Sequence, residues 1–224
     1  QVSAALGLPG GGQGLADVVK ILLFLSVLSL LPAIVLTMTS FTRLVIVLSF
    51  VRRAIGLQQM PPNAVIIGLS LFLTAFLMAP IWKRVHAEAI QPALKREIQE
   101  AEALQRAIVP LRTFMLRHTR QKDLALFLSV ANLPKPNTPD DVPTYIVVPA
   151  FAIGEIKTAF LMGFVVFLPM LVIVLVMATL LTSMGMFMLP PIMVSTPLKI
   201  LLFVLVDGWH LVVGSLVKSF QVFA

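Results

Sequence analysis

The sequence predicts an all-α integral membrane protein, built from two hydrophobic helical hairpins with kinked and broken helices. Three observations predict it. Of 224 residues, 58% are hydrophobic and only 12% are charged, where soluble domains carry about 25% charge; mean hydropathy is +0.99. The run from Thr158 to Leu198 holds no Asp, Glu, Lys or Arg. It is about twice the ~20 residues that one helix needs to cross a hydrocarbon core. Pro169, Gly185, Pro190, Pro191 and Pro197 punctuate that run, so it reads as broken rather than continuous.

Residues 1–17 read as a flexible N-terminal segment because Gly10 to Gly14 is glycine-rich. The first hairpin spans 18–82. Its first arm, Val18 to Val51, contains Pro32, with Thr37, Thr39, Ser40 and Thr42 placed to satisfy carbonyls freed by a kink. Arg52-Arg53 and the turn around Pro61-Pro62 close it, and Ala64 to Trp82 forms the second arm. Trp82-Lys83-Arg84 reads as an interfacial stop.

Residues 83–145 change character and read as an extramembrane region. Apolar residues recur at Leu94, Ile98, Ala101, Leu104, Ile108, Leu111 and Met115, steps of three and four that mark one helical face. Pro92 suits a first helical turn, and Pro110 is expected to bend or break the helix. Leu124 to Ala131 reads as a short helix, and the four prolines between Asn132 and Pro143 read as a loop. Residues 146–224 form the second hairpin. Basic residues in the short connection at Arg52-Arg53 place that connection in the cytoplasm and residues 83–143 outside.

Net charge is +7. The bases flank apolar runs without interleaved aromatics, which suits membrane lipid better than nucleic acid. No cysteine is present, which removes thiolate chemistry. No nucleophile–base set, metal-ligand spacing or phosphate loop occurs, so neither an enzyme nor a cofactor is expected.

Four constellations remain. Met184, Met186, Met188 and Met193, with Phe187 among them, surround Gly185 and the Pro190-Pro191 pair. Methionine can line a constriction that seals and deforms; the plainer alternative is ordinary core methionine. Glu155 and Lys199 flank the uncharged run. They either pair, through a bend or between subunits, or sit solvated at interfaces. Asp207 and His210, three apart, read as a proton relay or, more simply, as helix packing beside Gly208 and Gly214. Arg43 reads as a transporter's substrate site or as an inter-helix contact.

With those residues assembled, the chain resembles the FliP family of flagellar type III export-gate proteins, whose injectisome relatives are SctR-type. The resemblance rests on Met38-Thr39-Ser40-Phe41-Thr42-Arg43, Pro61-Pro62-Asn63, Pro110-Leu111-Arg112 through Thr119-Arg120, Lys157-Thr158-Ala159-Phe160, Leu202 through Trp209, and Val213 through Leu216. Arg112–Arg120 resembles the flagellar branch. The resemblance implies a leader already removed, an inner-membrane protein of the flagellar basal body lying largely on the periplasmic side, and a homopentamer. It implies FliQ-type and FliR-type subunits as partners, with FlhB-type and FlhA-type components and unfolded flagellar proteins as cargo. It also implies a pore gasket at Met184, Met186, Phe187 and Met188, and an assembly salt bridge between Glu155 and Lys199. Phe187 departs from the family's run of three methionines. A small-solute secondary transporter is the competing reading, since broken helices and buried charges also suit one.

Overall fold

The computed structural model describes residues 13–57, 59–134, 136, 138 and 141–221. It is helical, with no strand among the described residues. The helices are α1 (Gln13–Thr37), α2 (Phe41–Ile55), α3 (Asn63–Val85), α4 (Gln91–Leu94), α5 (Glu100–His118), α6 (Gln121–Val130), α7 (Thr144–Ser183), α8 (Pro191–Leu205) and α9 (Gly208–Gln221). A π-turn, His86–Ile90, joins α3 to α4. Three stretches are long and apolar enough to cross a membrane: Asp17–Thr37, Asn63–Leu94 and Thr144–Ser183. The pair α8 and α9, bent by 62°, makes a fourth if taken as one broken span.

The chain divides into two compact units, 1–37 and 38–224. The first contains α1, whose described side chains from Val18 to Leu31 are exposed. Helix begins at Gln13, inside the 1–17 segment expected to be flexible; residues 1–12 lie outside the described residues. The arm expected from Val18 to Val51 is two helices. Among Met38, Thr39 and Ser40 the amide of Phe41 donates to the Thr39 hydroxyl at 3.4 Å. Such local side-chain bonds offer the backbone an alternative to helix. Pro32 lies inside α1 without ending it.

In the second unit, α2 is the hub. Leu44, Val47, Leu48, Val51 and Ala54 are buried at steps of three and four, so this face packs into one core with residues of α3, α7, α8 and α9. Two glycines make this packing possible. A Cβ on Gly163 would lie 2.7 Å from Phe50 Cγ, closer than atoms can pack. Gly56 ends α2 at φ +89 and faces the Thr196 hydroxyl of α8, the left-handed position where glycine is favoured.

The expected stop at Trp82-Lys83-Arg84 does not occur. Helix continues through the π-turn to Leu94, because residues 85–91 contain neither Gly nor Pro. The chain breaks instead at Lys95–Gln99, where Arg96 adopts φ 59. The expected apolar face is thereby divided. Leu94 and Leu104 are exposed, while Met115 and Phe114 at the far end of α5 are buried. They pack with Val147 and Phe151 of α7 and Phe220 of α9 in a second core. Pro110 is accommodated inside α5.

Candidate functional site

Helix α7 runs for 40 residues, about 60 Å at 1.5 Å per residue. Pro149 and Pro169 lie within it and do not interrupt it. Its end is closed by a double capping bond. The Met186 amide donates to Leu181 O at 2.9 Å and the Gly185 amide to Thr182 O at 3.1 Å. Gly185 takes φ +76, the conformation this Schellman-type cap requires. Pro190 then extends the backbone and Pro191 opens α8 at its first position, where a missing N–H costs nothing. The expected turn at Gly185–Pro191 is therefore formed.

The turn projects its apolar side chains outward. Met188 is 97% exposed, Phe187 77%, Met184 68% and Met186 43%. Met193, on the first turn of α8, is exposed as well. Core methionine, the plainer alternative, does not describe these positions in the single chain. Burying such side chains is worth about 1.5–3 kcal/mol each, so the turn is a strong driver of contact with something apolar.

The second feature lies at the other end of α7. Glu155 is fully buried and Arg43 is 3% exposed. Arg43 Nε donates to Glu155 Oε2 at 2.8 Å, and Nη2 donates to Oε1. The remaining nitrogen, Nη1, donates to the Ser219 hydroxyl at 2.9 Å. The guanidinium also lies 3.9 Å above the Phe220 ring. One ion pair thus ties α2, α7 and α9 together. The pairing of Glu155 with Lys199 is not formed within the chain, because Arg43 takes both carboxylate oxygens. A planar, bidentate guanidinium satisfies a buried carboxylate better than an ammonium does. Arg43 itself makes an inter-helix contact and is not open to a solute.

His118 borders this pair from α5. Its Nδ1 lies 2.8 Å from Phe114 O and its Nε2 3.4 Å from Phe220 O. Burial holds the imidazole pKa below its ordinary value, and the nearby Arg43 and Arg117 charges push the same way. One of these partners, Phe114 O, is on the same helix, and the other comes from α9, about a hundred residues on. Lys199 is buried at 5% exposure on α8, with no ion-pair partner among the described residues. Asp207 does not share a helical face with His210. It occupies the break between α8 and α9 at φ 49, and both side chains are exposed. A Cβ on the following Gly208 would lie 2.4 Å from the Phe203 ring, so packing sets this corner. No cluster of metal-ligating side chains occurs among the described residues.

The FliP family model matches residues 24–216, a stretch that holds the Arg43–Glu155 pair and the whole methionine turn. The chain belongs to the FliP family. It is 54% identical over 208 residues to the flagellar biosynthetic protein FliP of Bacillus subtilis, covering 93% of this chain and 94% of that protein. It is 49% identical over 213 residues to the Aquifex aeolicus FliP, covering 94% and 89%. It is 50% identical over 213 residues to the Pectobacterium carotovorum FliP, covering 95% and 83%. Family membership, together with spans long and apolar enough to cross a bilayer, makes this FliP-family chain a membrane component of flagellar biosynthesis and not an enzyme.

Proposed function

We propose that this FliP-family chain is a channel-forming subunit of the flagellar protein export gate, passing unfolded flagellar proteins across the inner membrane. The observation that carries the reading is the methionine turn. It is a tightly capped connection between two apolar helices that presents Met184, Met186, Phe187 and Met188 to the outside. Brought around a common axis in a homo-oligomer, flexible thioether side chains can close a pore and part around a passing chain. Phe187 adds a stiffer ring to that seal.

The oligomer is a pentamer on this reading, completed by FliQ-type and FliR-type subunits and working with FlhA-type and FlhB-type components. It lies mainly on the periplasmic side of the inner membrane in the basal body. Lys199 is the group we assign to the boundary between copies. A buried ammonium calls for a partner, and Arg43 has already claimed Glu155 within the chain. The assembly salt bridge expected from Glu155 and Lys199 is thereby recast as an internal pair plus a cation left for a neighbour.

The test is ion permeability of vesicles carrying the assembled complex. Met186→Ala with Met188→Ala is expected to raise conductance while the oligomer keeps its size. Unchanged conductance in an intact complex removes the gasket. Saturable uptake of a small solute by the isolated chain favours the transporter reading instead.

A further inference from the structure

A groove of about 430 Å³ opens between α3 and α5, with Phe220 of α9 at its end. That volume lies within the range of small-ligand sites. Leu77 and Ile81 form one wall and Phe114 the other. Arg84 and Arg117 stand at its rim. Both arginines are exposed, and neither has an ion-pair or hydrogen-bond partner among the described residues. No acidic side chain lines the groove.

Beyond the groove, α3 carries further exposed apolar side chains on the same side. Phe72, Phe76, Pro80 and Arg84 follow each other at steps of four, so they form one stripe on the helix. Phe72 is 78% exposed and Phe76 67%. The stripe is about 18 Å long, apolar for most of its length and cationic at Arg84. A ligand that matches both ends has an anionic head and an extended apolar tail.

We propose that this groove binds one anionic phospholipid, its phosphate held between Arg84 and Arg117 and its acyl chain laid along Phe76 and Phe72. Charge complementarity selects this occupant. A wholly apolar partner helix would leave two guanidinium groups facing hydrocarbon, which is costly. Free phosphate would leave the aromatic stripe bare.

The experiment is native mass spectrometry of the delipidated, purified full chain in detergent. It is titrated with phosphatidylglycerol, with phosphatidylcholine of the same acyl chains, or with glycerol phosphate alone. Phosphatidylglycerol is expected to be retained over phosphatidylcholine. The preference should fall about fivefold for each of Arg84→Gln and Arg117→Gln, from about 1 kcal/mol per basic group at an anionic surface. Lys122→Gln, outside the groove, should leave it unchanged, and Arg84→Lys with Arg117→Lys should keep it if the glutamine variants lose their fold. Equal retention of the two lipids overturns the proposal. So does a preference that survives both glutamine substitutions, or binding of glycerol phosphate as strong as that of the lipid. A change in oligomer size with lipid retention intact also overturns it, since the arginines would then face a second copy.

Discussion

The two halves of α7 differ in composition and in use: Glu155 and Lys157 lie in the first, and no Asp, Glu, Lys or Arg lies in the second. From Thr144 to Gly163, Val147, Phe151, Glu155, Ala159 and Gly163 recur at steps of four, with Ile146, Ala150 and Gly154 beside them, and all are buried. From Phe164 to Ser183 only Met170 and Leu181 are buried. The first half is held by its own chain, through α2, α5 and α6. The second half is mostly exposed on its way to the methionine turn, with Val166, Phe167 and Ile173 half-buried against the first core. Small residues and a paired charge mark the packed half; Val, Leu and Phe without a glycine mark the exposed one. Hydropathy separates them but does not say what covers the uncharged half, because apolar surface is buried as readily by lipid or a sister subunit as by its own fold.

The contrast can be broken at its strongest point first. Glu155→Ala leaves a buried guanidinium without its carboxylate and is expected to cost about 3–5 kcal/mol. The fold of unit 38–224 should be lost, or its thermal unfolding in detergent shifted sharply down. A melting curve like that of the unaltered chain means that the pair does not hold the packed half together. Next in size is Gly163→Ala, which drives a methyl group into Phe50 and should cost about 1–3 kcal/mol. If its midpoint matches the parent's, the close approach of α2 and α7 relaxes without strain.

A smaller effect follows from His118, which borders the packed half through Phe114 and Phe151. Its imidazole pKa is lower in the folded chain than in the unfolded one, so the unfolded state takes up the proton more readily. The neutral ring's contribution is fully present above about pH 6.5 and is lost as pH falls below it. Arg43 and Arg117 are the charges facing the ring, and both remain cationic throughout. His118→Gln should therefore flatten the pH dependence of thermal stability between pH 5 and 7; an unchanged slope assigns it to other groups. Least of all, Val172→Ala in the exposed half should alter the stability of the isolated chain by under about 0.5 kcal/mol. A larger loss would show that Val172 has partners within its own chain.

Legibility in the sequence followed the same division. The turn was readable because Gly185 and Pro190-Pro191 have positional meanings that survive any context. The helical class was readable from composition and run length. The end of the second span was misplaced, since Trp82-Lys83-Arg84 suggests an interface while nothing from Val85 to Gln91 stops a helix. The single arm from Val18 to Val51 was misdrawn because the break at 38–40 is marked only by Thr39 and Ser40, whose hydroxyls are a weaker signal than proline. Pairing was the least legible part. Glu155 was expected to pair with Lys199, and neither spacing nor hydropathy pointed to Arg43 as its partner. Tertiary geometry chose the guanidinium, which also reaches Ser219 and Phe220. Likewise Asp207 and His210 look like neighbours on a helix until the left-handed residue at the break separates them.

The Arg43 cluster also sets a schedule for making the protein. Glu155 is synthesised 112 residues after its partner, and Ser219 comes 176 residues after it. At about 5–20 residues per second, a newly made chain carries an unmatched guanidinium for on the order of ten seconds. During that interval α2 cannot settle in hydrocarbon alone, and something in the insertion machinery or the lipid headgroups must shelter the charge. Helix α7, which brings the Glu155 carboxylate, is the one that releases it.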